Sequence, residues 1–149
     1  MAVSSYYMAI VIGLCLSLLV EIKFGISPGG FIVPCYMALV IDNPAVVLNI
    51  FLVSLITYLI LKYVVSKFML IYGKRRFIAC VLIAIIVKSL LNLLYPIVPF
   101  SVFAFNGIGV VTSGIIANTY FRQGVVITTI TTLLTSVVVF LAINLVYLF

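Results

Sequence analysis

Gly30–Ala38 reads GFIVPCYMA and returns in softened form as Gly109–Ala117, GVVTSGIIA, 79 positions later. The register continues to Val46-Val47 over Val125-Val126, and upstream Ser17-Leu18-Leu19 recurs as Ser89-Leu90-Leu91. The unit so defined is a long apolar stretch, a short stretch opened by glycine, and a second long apolar stretch. In a very hydrophobic chain, such a repeat reports a duplicated membrane unit with its working site between the halves. Chance similarity among apolar segments competes with this reading. Agreement of glycine and alanine positions with element order favours duplication.

The composition sets the solvent. The chain has 149 residues, 67% apolar and 7% charged, a surface no soluble domain of this size keeps from aggregating. We expect an all-α polytopic membrane protein: one membrane domain over residues 1–149, with repeat 1 at about 5–72 and repeat 2 at about 77–149. A crossing helix needs roughly 17–25 residues. Ser5–Val20, Ala45–Lys62 continuing to Tyr72, Phe77–Leu94 and Val125–Phe149 qualify, the first helped by snorkelling of Glu21 and Lys23. No Lys or Arg precedes the first apolar run and no small-x-small site follows it, so it is expected to stay as an anchor.

The chemistry-bearing residues are few. Histidine is absent, and with it the commonest general base and transition-metal ligand. Cys15, Cys35 and Cys80 lie far apart in apolar segments and read as small buried hydrophobes, without a metal or redox pattern. Glu21 and Asp42 are the only carboxylates, and phosphate-loop, nucleophile-elbow and HExxH motifs are missing. The chain does not read as a complete enzyme. No metal site, no cofactor of its own and no nucleic-acid partner are expected.

The basic residues cluster. Lys62, Lys67, Lys74, Arg75 and Arg76 fall within fifteen positions, with no acid among them, so this arc should face the cytoplasm. One helix from Ala45 to Tyr72 would be about 42 Å long against a hydrocarbon core of about 30 Å. Its last turns would then project, with Lys67 and Lys74 on one side. A solvated end is the plain reading; a docking surface formed by Lys67, Lys74, Arg75 and Arg76 is the sharper one.

Two short elements interrupt the spans. The first opens Gly25-Ile26-Ser27-Pro28-Gly29-Gly30 and includes Pro34. It runs to Ile41, and Asp42-Asn43-Pro44 then turns the chain into the next helix. The second follows Pro96 and Pro99, opens Gly107-Ile108-Gly109 and ends near Tyr120. Stretches of ~10–14 apolar residues re-enter or pack in the core more often than they span. Non-helical backbone at that depth must be buried in protein or line a wet cavity. The alternative is that both cross, giving six spans in two inverted units.

Candidate cavity contacts are therefore Gly25, Pro28, Gly29, Gly30, Pro34, Gly107, Gly109 and Asn118, joined by the charges at membrane depth. Lys88 costs about 2.5–3.5 kcal/mol in mid-span and should face the bundle, with Glu21 as its expected partner, unless it snorkels. Arg122, in Arg122-Gln123-Gly124, is either part of a polar turn or an anion contact. The Thr128–Ser136 hydroxyl run reads as helix-packing glue that bonds across the contact.

The ordered set Leu16-Ser17-Leu18, Gly25-Ile26, Val33-Pro34, Leu70-Ile71-Tyr72-Gly73, Tyr95-Pro96-Ile97-Val98-Pro99-Phe100, Phe105, Gly107-Ile108-Gly109, Ile116-Ala117-Asn118, Arg122-Gln123-Gly124 and Tyr147-Leu148-Phe149 covers essentially the whole chain. It resembles the small membrane component (CapC or PgsC) of the bacterial poly-γ-glutamate synthase. The resemblance implies a multi-pass subunit of the bacterial cell membrane that works in a complex making and exporting poly-γ-glutamate. A cytoplasmic amide-ligase subunit (CapB or PgsB type) would hold the ATP, and a mostly extracellular subunit (CapA or PgsA type) would complete the assembly. The family's Val-Pro-Gly openings are replaced here by Val33-Pro34-Cys35 and Thr112-Ser113-Gly114, which bears on the polymer more than on the fold. A self-contained small transporter and a purely structural anchor are the competing functions.

Overall fold

A computed structural model describes the backbone of residues 2–68, 72–94 and 103–149, and their side chains except at 2–6 and 103–107. The Pro96 and Pro99 break lies outside the described residues. Six helices follow one another: α1 (Ala2–Phe24), α2 (Ile32–Val40), α3 (Pro44–Phe68), α4 (Lys74–Leu94), α5 (Phe103–Gln123) and α6 (Val125–Leu148).

Each boundary has a local cause. Gly25 takes a left-handed φ of 65° and donates its N–H to the Glu21 carbonyl at 2.8 Å, which closes α1. Pro44 opens α3 as expected, since its missing N–H is one of the four a helix start leaves unpaired. Gly73 (φ 63°) turns the chain into α4, and Gly124 (φ 94°) separates α5 from α6.

Four helices are long and apolar enough to cross a membrane: α1 from Tyr7 on, α3, α4 and α6. These are the four anticipated, with changed ends. Lys74 starts α4, so it does not share a helix with Lys67. Near its end α3 widens into a π turn at Leu61–Val65, and Phe68 is its last described residue.

The middle elements depart more. α2 is short, nine residues, and is preceded by an irregular loop from Gly25 to Phe31. α5 has 21 residues, and Gly107 and Gly109 lie within it rather than opening it. A glycine in a helix interior costs about 1 kcal/mol relative to alanine, which packing on several neighbours offsets.

α5 packs against α2, α3, α4 and α6, and α2 against α1, α3, α5 and α6. The outer helices pair as α1 with α6 and α3 with α4. Their outer faces are apolar: Ile22, Leu93 and Leu148 are each more than three-quarters exposed. Inside, Val33, Tyr36, Met37, Ile50, Ile116 and Tyr120 form one cluster, yet among the described residues eleven serines and threonines are buried beside sixteen apolar residues. Apolar surface outside and small polar groups at helix contacts is the distribution a lipid solvent favours.

Candidate functional site

The loop between α1 and α2 is the most built feature of the chain. Ser27, Pro28 and Gly29 are buried although none is in a helix. Gly29 (φ 79°) and Gly30 (φ 92°) adopt backbone that other residues rarely take. They also let the loop approach α5: a Cβ on Gly30 would lie 3.1 Å from Ile115 Cγ2, and one on Gly29 3.4 Å from Ile116 Cγ1. Ser27 Oγ accepts from the Gly30 N–H at 3.2 Å. At the end of α5 the Gln123 carboxamide, oriented to satisfy both groups, donates to the Ser27 carbonyl at 3.0 Å and accepts from the Ser27 N–H at 2.7 Å. Pro34 is fully buried at the third position of α2, where an N–H would find no helical acceptor.

The same end of the bundle collects the cations. α4 and α5 run antiparallel, with Gly114 against Val81 and the Arg76 Nε donating to Asn118 Oδ1 at 3.2 Å. Arg76 also stands 5.6 Å from the Phe121 ring, and Lys62, in the π turn, 5.5 Å from the Tyr58 ring. Tyr58 meets Tyr120 edge-on at 5.9 Å and Phe121 at 4.7 Å, tying α3 to α5. Ser54 Oγ and Tyr120 Oη, 3.3 Å apart, extend that tie. Lys23, Lys67, Lys74, Arg75 and Arg122 are exposed around this end. Seven of the eight basic residues thus belong to this end of the bundle, and Lys88 is the exception.

Of the anticipated docking residues, Lys67, Lys74 and Arg75 are free to meet a partner, whereas Arg76 is half-buried on Asn118 and Phe121. Of the cavity residues, the structure brings Gly29 and Gly30 together with α5, and Gly109 against α2, where its Cβ would lie 3.0 Å from Tyr36 Oη. Gly25 has open space around it.

Lys88 is buried on the inner face of α4, as a costly mid-span charge should be. The anticipated pair with Glu21 is not formed: no ion pair joins them among the described residues, because α1 packs on α2 and α6 while α4 packs on α3 and α5. The threonines of α6 also differ from expectation. Thr128, Thr132 and Thr135 donate to carbonyls of their own helix four residues back, not across the contact. An apolar hollow of about 290 Å³ between Ile41, Pro44, Phe51 and Leu133 lies toward the opposite end and lacks the polar groups of a site.

Gln123 is the residue sequence reasoning passed over. It stands in what reads as a polar turn, and nothing in one sequence points it at a loop almost a hundred positions earlier.

The profile of the family described as "Capsule biosynthesis CapC" matches residues 12–129. The chain is 44% identical over 146 residues to the capsule biosynthesis protein CapC of Bacillus anthracis, covering 98% of each chain. It is 47% identical over 133 residues to the PGA biosynthesis protein CapC of Bacillus subtilis (strain 168), covering 89% of each. No solved structure matches the chain. With most of its length inside the family profile and close relatives end to end, the chain belongs to the CapC family of capsule biosynthesis proteins.

Proposed function

We propose that this chain is the multi-pass membrane subunit of a poly-γ-glutamate synthase and export complex, receiving a cytoplasmic ATP-dependent ligase subunit at its basic end. One observation carries the reading: Lys67, Lys74 and Arg75, with Lys23 and Arg122, are exposed at the end of the bundle where Gln123 meets the buried glycine loop. Fixed cations concentrate anions and steer acidic partners, and a polymer with one carboxylate per residue is such an anion. Cations gathered at one end support a cytoplasmic position for that end by the positive-inside rule. The ATP site belongs to the ligase subunit (CapB or PgsB type), and a mostly extracellular subunit (CapA or PgsA type) meets the opposite end.

In the same reading α1–α3 and α4–α6 are the two repeats, inverted units that both cross fully. Two features support it. Exchanging α1, α2 and α3 for α4, α5 and α6 maps the packing pairs between these helices onto one another, with α2 and α5 mapping onto themselves as a pair. A shift of 79 positions also turns the close approach of Gly30 to Ile115 into that of Gly109 to Tyr36. The polymer path then runs between α2 and α5, where the halves meet.

Deletion of the chain should abolish polymer production, and affinity-tagged chain should co-purify the ligase subunit. A transporter acting alone would instead move labelled solute in liposomes. A mere anchor would lower the yield of complex without lowering activity per complex when the glycine loop is altered.

A further inference from the structure

The serine and threonine hydroxyls buried in α3, α5 and α6 share one habit. Each, from Ser54 to Ser136, donates its proton to a backbone carbonyl three or four residues earlier. Ser27, in the loop, accepts from Gly30. Ser17 breaks the pattern: it is fully buried and its Oγ has no hydrogen-bond partner. One turn further along α1, Glu21 Oε2 is also buried and without a partner. Lys23, the cation nearest in sequence, is exposed. Two unsatisfied oxygens thus lie on one face of the helix, at the i and i+4 spacing that brings side chains together.

The surroundings have the same sign. Glu21 is in the last turn of α1, where helix carbonyls carry partial negative charge and favour a cation. A buried carboxylate oxygen and a hydroxyl beside a helix C-terminus, next to irregular backbone, form a donor set suited to a hard monovalent cation. A lone carboxylate is too little for a divalent one.

We propose that Ser17 and Glu21 bind a monovalent metal cation at the foot of the glycine loop. The site is independent of the ligase contact proposed above. Binding would neutralise the Glu21 carboxylate and brace the end of α1 against the loop.

The purified full-length chain in lipid nanodiscs provides the test, with ²²Na⁺ as the probe and K⁺ and Li⁺ as competitors. Thermal unfolding is followed in parallel in NaCl, KCl and N-methylglucamine chloride at equal ionic strength. Saturable ²²Na⁺ binding, or its K⁺ equivalent seen as a K⁺-specific rise in melting temperature, is expected. It should weaken at least tenfold in Glu21→Gln, weaken less in Ser17→Ala, and persist in Arg122→Gln. If Glu21→Gln does not fold, the wild-type and Ser17→Ala titrations decide alone. Absence of cation-specific binding or stabilisation in the wild type would overturn the proposal, leaving water or a proton as the occupant. Binding unchanged in the variants of Ser17 and Glu21 would overturn it equally.

Discussion

Gly13 and Gly114 set how close α1 comes to α2 and α4 to α5. A Cβ on Gly13 would stand 2.5 Å from Cys35 Sγ, a side-chain atom, whereas one on Gly114 would stand 2.9 Å from Val81 Cα, which cannot turn away. Overpacking of this kind typically costs about 1–3 kcal/mol. Gly13→Ala is therefore expected to lower the melting temperature of the purified chain and to be largely rescued by Cys35→Ala. Gly114→Ala should be at least as harmful and should not be rescued by truncating Val81, since the obstruction is backbone. At Gln123 the two bonds to Ser27 are at stake. Leaving buried backbone groups unpaired costs about 1–3 kcal/mol. Gln123→Ala should speed limited proteolysis within residues 25–31, and proteolysis at the wild-type rate would remove Gln123 from the architecture of the loop.

Between elements, α4, which packs on α3 and α5, contains the buried Lys88, which no carboxylate compensates among the described residues. An uncompensated buried charge destabilises, and apolar replacement of similar volume removes the cost. Lys88→Met is expected to stabilise the purified chain by about 1–3 kcal/mol in thermal unfolding while lowering polymer output, which separates a functional lysine from a packing one. Loss of stability would mean that Lys88 is satisfied in the fold. This scale is also where the sequence was read least well. Apolar length fixed the four long helices, because burying some 20 residues of backbone in lipid leaves only a helix. The length of α5 was not legible: Gly107 and Gly109 argue locally for a break, but the helix is stabilised by its contacts with α2, α3, α4 and α6, which a one-dimensional pattern does not carry. For the same reason the short list of carboxylates pairs Glu21 with Lys88, whereas the packing of α1 on α2 and α6 keeps them apart.

For the molecule as a whole, the charge asymmetry predicts an orientation. With native cysteines replaced, a cysteine at Lys74 should be shielded from an impermeant thiol reagent in intact cells, and one at Asp42, exposed on the turn at the opposite end, should be labelled. The clustering of five cations from Lys62 to Arg76 was legible from the sequence. That Lys23 and Arg122 join the same end is favoured in the sequence only if the short elements cross, and the tie of Gln123 to Ser27 at that end needed the fold. The most direct measurement is charge reversal at that end: Lys67→Glu, Lys74→Glu and Arg75→Glu together, in cells whose own copy is deleted. Membrane insertion should be unchanged, while ligase co-purification and poly-γ-glutamate output fall at least tenfold, with raised salt weakening the wild-type contact in the same direction. Full polymer output with the ligase still bound to the reversed chain would contradict docking through the basic end.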